Sequence, residues 1–164
     1  MIIDCHGHYT TAPKALENWR NQQIAGIKDP SVMPKVADLK ISDDELIETI
    51  ESNQLRLMKE RGSDLPIIST RATFMAHHTG DFNVSSTWAA ICNELCYRVS
   101  TLFPDHVIPA AMLPQSPGVD PATCIPELEK CLKEYGNVGI ILNPDPSGGH
   151  WTSPPLSDKH WYPI

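Results

Sequence analysis

Two histidines one residue apart, His6 and His8, follow a short apolar run at the start of the chain, MIIDCHGHY. If that run is a β-strand, side chains two positions apart share a face, so both imidazoles leave the strand end on the same side. Two neutral imidazoles placed in this way can take adjacent positions on one transition metal, and nitrogen donors suit Zn²⁺ at about 2.0–2.1 Å. Gly7 between them adds no bulk. An H-x-H pattern alone reads equally well as two solvent-facing histidines near a terminus.

Further residues could serve the same chemistry. Arg71 directly follows a second strand-like run, where its guanidinium could hold a carboxylate bidentately or make a structural ion pair. Asn143 sits just past another apolar run and could donate to a carboxylate or cap a turn. His77, with His78 beside it, lies in the loop after Arg71, within reach of a ligand at that strand end. Cys92 and Cys96 are one helical turn apart, but without a second close pair they read as packing.

The elements that must position these residues alternate. Strand-like runs begin near residues 2, 66, 107 and 138, the later three spanning Leu65–Thr70, Val107–Leu113 and Val138–Leu142. Between them, Ser42 and Glu45 form a capping box that opens a helix running to Gly62. Ser85 or Ser86 opens a second helix, with Trp88, Ile91, Cys92, Leu95, Cys96, Val99 and Leu102 as its apolar stripe. Thr123 is the expected N-cap of a third, placing Pro126 in the first turn, where its missing N–H costs little. Residues 10–41 read as an inserted loop, with a short helix around Lys14–Gln23; loops of this length are commonly functional.

Strand, helix, strand in repetition builds a parallel sheet with right-handed crossovers. A doubly wound nucleotide-binding sheet would carry a glycine-rich phosphate loop at its first strand–helix turn, whereas this chain carries His-Gly-His. Ligands at the C-terminal end of a strand are where barrel enzymes keep their chemistry. The expected fold is therefore α/β of the (β/α)₈ TIM-barrel type. Residues 1–164 would supply about its first four βα units, as the N-terminal portion of one domain, because the apolar ending WYPI falls one turn into what reads as a helix.

Composition narrows the partners. A chain of 164 residues, 41% hydrophobic and 20% charged, can bury a real core. A net charge of −7 offers no basic field for nucleic acid or anionic lipid, so a small molecule is the expected ligand. No run approaches the roughly 18–20 apolar residues of a membrane span, and the opening residues read as a strand and not as the basic-then-apolar pattern of a signal peptide. Five cysteines on apolar faces suit reduced, buried thiols, and hence the cytoplasm. Homo-oligomerisation is left open.

The segment Asp4-Cys5-His6-Gly7-His8 at the end of the first strand resembles the amidohydrolase superfamily, in particular its amidohydrolase-2 branch, which includes aminocarboxymuconate-semialdehyde decarboxylase. The collinear stretches MIIDCHGHYTTAPKAL, FMAHHTGDF, SSTWAAICNELCYRV, AAMLPQSPGVDP and LNPDPSGGHWTSPPL narrow that resemblance to hydratases of the branch, across essentially the whole chain. The resemblance implies a Zn²⁺-dependent hydro-lyase that adds water across the C=C bond of a tricarboxylic oxo acid in protocatechuate 4,5-cleavage. It carries metal ligation onto His6 and His8 and implies that the remaining ligands and the acid/base residue lie beyond residue 164. Decarboxylation or hydrolysis, as in sister families, and a catalytically inert half-barrel are the alternatives.

Overall fold

The computed structural model describes residues 1–164, the side chain of Ala72 excepted. Strand β1 (Ile3–Tyr9) pairs in parallel with β2 (Leu65–Thr70), and β2 with β3 (Ile108–Pro109). A second parallel pair joins β4 (Ala111–Met112) to β5 (Ile140–Ile141). Every pairing is parallel, as the alternation of elements requires, and the chain is α/β.

The run expected as one strand over Val107–Leu113 is divided at Ala110. The Ala110 N–H donates to Ile68 O at 2.7 Å, whereas the Ala111 N–H donates to Gly139 O at 2.9 Å, so successive amides serve different neighbours. Helix α4 (Phe82–Leu102) bridges the seam through Asn93, whose Oδ1 accepts the Met112 N–H at 2.7 Å and whose Nδ2 donates to the Met112 carbonyl at 2.9 Å. The expected strand over Val138–Leu142 contracts to the two residues of β5.

The inserted segment is more ordered than its sequence suggests. Helix α1 (Lys14–Lys28) outruns the expected Lys14–Gln23 and buries Leu16 and Trp19. The capping box forms with both of its bonds and opens α2 (Asp43–Thr49), but the single helix expected to reach Gly62 is interrupted by a π-helical segment (Ile50–Leu55) before α3 (Arg56–Arg61). Side-chain hydroxyls explain the interruption. Thr49 Oγ1 donates to the Leu46 carbonyl at 3.0 Å and Ser52 Oγ to the Glu48 carbonyl at 2.6 Å, competing with the backbone ladder where the turn widens.

Helix α4 is capped by Asp81, four residues before the expected Ser85 and five before Ser86, through the Val84 N–H at 3.0 Å. Its expected stripe is otherwise right, with Trp88, Ile91, Cys92, Leu95, Cys96 and Val99 all buried. Helix α5 (Ile125–Lys133) follows a 3₁₀ turn capped by Asp120, so Thr123 lies inside that turn and is not the N-cap. The chain closes on a 3₁₀ turn (Lys159–Trp161) capped by Asp158. Cys92, Cys96, Cys124 and Cys131 are free and buried, but Cys5 is exposed, because β1 is an edge strand and its outer side is uncovered among the described residues. No helix among the described residues is long and apolar enough to cross a membrane.

Candidate metal centre

His6 and His8 stand together at the C-terminal part of β1, their ring centroids 4.9 Å apart and their planes nearly perpendicular. The register between β1 and β2 shifts between Asp4 and Gly7, a bulge that leaves both rings on the same side. Gly7 does more than add no bulk. A Cβ there would lie 2.9 Å from the Ile67 carbonyl, so only glycine permits the two backbones this approach.

The surroundings of His8 fix its tautomer. Its Nδ1 lies 2.9 Å from the Thr70 carbonyl and 3.0 Å from Ser69 Oγ. A carbonyl can only accept, so Nδ1 carries the proton and donates it, leaving the Nε2 lone pair for a ligand. Gln54, brought round by the π-helical segment, donates to the His8 carbonyl at 2.8 Å, and Asp4 Oδ1 accepts the His6 N–H at 3.1 Å. The two imidazoles thus present two nitrogen donors that could serve one metal ion. Among the described residues, no group of three or more His, Cys, Asp or Glu is placed to complete one. Both rings border a cleft of about 370 Å³ that Leu57, Met58 and Arg61 also line.

Tyr9 turns the other way, into the core, where its hydroxyl meets Thr49 Oγ1 at 2.6 Å and burial pushes its pKa up to about 12. Arg71 leaves the end of β2 with its guanidinium 4.3 Å from the Phe74 ring centroid and Nη2 3.9 Å from Glu17. Its Nε is buried without a partner. Asn143, just after β5, ties two loops together. Its Nδ2 donates to the Met75 carbonyl at 3.0 Å and its Oδ1 accepts the Asp145 N–H at 3.1 Å. The loops meet again where Gly148 lies against the His78 ring, which a Cβ at Gly148 would approach to 2.5 Å.

His77 is buried beneath this junction, bonded through Nδ1 to Ser85 Oγ at 2.9 Å, and does not line the cleft of His6 and His8. Desolvation, with smaller contributions from Arg20 and His78, pushes its pKa down to about 4. An unfolded histidine takes up its proton near pH 6.5, so between there and about pH 4 the unfolded chain binds more protons and stability falls as pH drops. The expected loss is about 3 kcal/mol, complete below the folded pKa. Urea denaturation at neutral pH and near pH 4.5 should show it, and His77→Gln should flatten the dependence.

Parallel strands alternating with helices, and a histidine pair at the end of the first strand, define the class: a family model for amidohydrolases matches residues 3–164, and the chain belongs to that family. Two of its relatives of high identity are hydratases. It is 55% identical over all 164 residues to the 2-keto-4-carboxy-3-hexenedioate hydratase of Sphingobium sp., of which it covers 48%. It superposes on the crystal structure of 4-oxalomesaconate hydratase from Rhodopseudomonas palustris with a TM-score of 0.93 at 78% identity, covering 99% of this chain and 47% of that one. The manganese complex of 5-carboxyvanillate decarboxylase from Novosphingobium aromaticivorans shares the fold, with a TM-score of 0.65 at 18% identity, covering 100% of this chain and 46% of that one. The chain spans about half the length of these relatives.

Sequence reasoning did not find Ser69, Thr70 or Gln54. Each acts on His8 across more than forty residues of sequence, and only the pairing of β1 with β2 and the π turn bring them there.

Proposed function

We propose that this chain forms the N-terminal half of a zinc-dependent (β/α)₈ hydro-lyase that adds water across the C=C bond of 4-oxalomesaconate. The observation that carries this reading over decarboxylation is the similarity to two hydratases, at 55% and 78% identity. Likeness to the decarboxylase extends to the fold alone.

His6 and His8 supply two ligands to the metal, whose contribution when bound is Lewis acidity toward the substrate or its water. Ser69 and Thr70 hold His8 in the tautomer that directs Nε2 to the ligand side. Arg71, at the end of β2, pairs with a substrate carboxylate through its guanidinium. Asn143, its side chain bonded to the backbone of two loops, shapes the substrate mouth, and His77, buried and bonded to Ser85 of α4, supports the loop that carries it. The general acid and base come from strands of the second half.

The test is an assay of the complete gene product with 4-oxalomesaconate and, separately, with 5-carboxyvanillate. Hydration of the first with no decarboxylation of the second is expected. Decarboxylation without hydration would overturn the proposal.

A further inference from the structure

The cleft between α1 and the loop after β2, we propose, is a carboxylate-binding subsite in which Arg20 and Arg71 hold one end of a small polycarboxylate. The proposal rests on reading the chain as part of an enzyme for such a substrate, and adds to that reading a second cationic residue and a place.

The cleft has a volume of about 210 Å³ and is walled by Glu17, Arg20 and Asn21 from α1 and by Arg71, Thr73 and Phe74 from the loop. Arg20 is only 5% exposed. Its Nη1 donates to Gln23 Oε1 and its Nη2 to the Ala76 carbonyl at 3.3 Å, and its guanidinium lies 5.0 Å from the Trp88 ring centroid. No carboxylate pairs with it among the described residues. A buried cation satisfied only by neutral acceptors is undercompensated.

Arg71 is nearly as poorly matched. Its sole acidic partner within 4 Å among the described residues is the half-exposed Glu17 at 3.9 Å, beyond hydrogen-bond reach, and its Nε is buried without an acceptor. Phe74 covers one guanidinium face and leaves the edge, which is the part that binds carboxylate bidentately. Two guanidinium groups facing one distant carboxylate make this cleft locally positive on a chain of net charge −7.

The cleft also shares wall residues, through a small recess, with the cleft of the histidine pair. Glu17, Arg71 and Phe74 line a small recess shared with Tyr9 and Thr10, and Thr10 in turn borders the cleft of His6 and His8. A polyanion seated on the arginines therefore lies on the same strand-end side as the metal ligands.

The probe is tricarballylate, a tricarboxylate with no double bond to hydrate, titrated into the complete gene product by calorimetry. Arg71→Gln should weaken binding about tenfold or more, the usual loss when a charge-assisted bidentate contact is removed. Asn21→Asp, which adds a carboxylate at an exposed position on the cleft wall, should weaken it severalfold without disturbing the core. Arg20→Lys keeps the charge and loses the fork, and should fall between the two. Lys133→Gln, at an exposed position of α5, should change nothing.

No binding of tricarballylate, or affinity unchanged in both Arg71→Gln and Asn21→Asp, would overturn the subsite. Because the titration needs no turnover, the two readings fail separately. Cleft-sensitive binding in a protein that does not hydrate 4-oxalomesaconate leaves the subsite standing and removes the activity. Full hydration with cleft-insensitive binding does the reverse.

Discussion

Replacing His6 and His8 together by alanine in the complete gene product is expected to remove bound zinc and to lower the hydration rate by more than about 100-fold. That figure is the upper end of what losing a mere supporting partner of a metal ligand costs, and here two ligands go. Ser69→Ala makes a graded comparison. The Thr70 carbonyl still accepts the Nδ1 proton of His8 at 2.9 Å, so zinc affinity should fall only about tenfold. Metal content by mass spectrometry and turnover by absorbance should fall in the same order. Unchanged turnover in the double variant would remove both histidines from the ligand set.

Trp88→Ala is expected to cost about 3–5 kcal/mol, a large share of the roughly 5–15 kcal/mol that holds a domain folded. Trp88 is 1% exposed and gathers the inserted segment onto the sheet-packed helix α4. Trp19 of α1 stacks on it with centroids 6.1 Å apart, Phe74 meets it edge-on at 5.2 Å, and its Nε1 donates to the Phe74 carbonyl at 2.9 Å. Truncation leaves a ring-sized cavity and an unsatisfied carbonyl, which explains the high end of the range. Urea midpoints of Trp88→Ala and Trp88→Phe should bracket the effect, the phenylalanine keeping most of the volume and losing the hydrogen bond. A midpoint for Trp88→Ala within error of the parent would contradict this account of the core.

The histidine pair and Trp88 mark how much could be read from the sequence. The histidine pair was legible because a period of two and a chemically distinctive side chain are both local properties of nine residues. The stripe of α4 was legible for the same reason, with apolar residues recurring at helical spacing from Trp88 to Val99. The start of that helix was not, because Asp81 and Ser85 are both competent caps and only the packed position of the loop chooses between them. The single strand expected over Val107–Leu113 failed differently. Its apolar content is right, but which neighbour each amide serves depends on β2, β5 and Asn93, far away in sequence. The hydroxyls that widen α2 into a π turn are visible in the sequence as Thr49 and Ser52, yet ordinary helices carry such residues without yielding. Arg71 could be singled out as a cation at a strand end, whereas Arg20 reads as one more polar residue on an amphipathic helix until burial sets it apart.

At Gly7 the mutational tolerance of the histidine pair is set by a backbone contact and not by the metal. The Ile67 carbonyl occupies the space where any side chain at residue 7 would begin. A methyl group there would have to push β1 away from β2, and with it His8 from the Ser69 and Thr70 atoms that orient its ring. The ligand site is thus encoded partly by a position that contributes no ligand atom, and its failure modes include substitutions that leave both histidines in place.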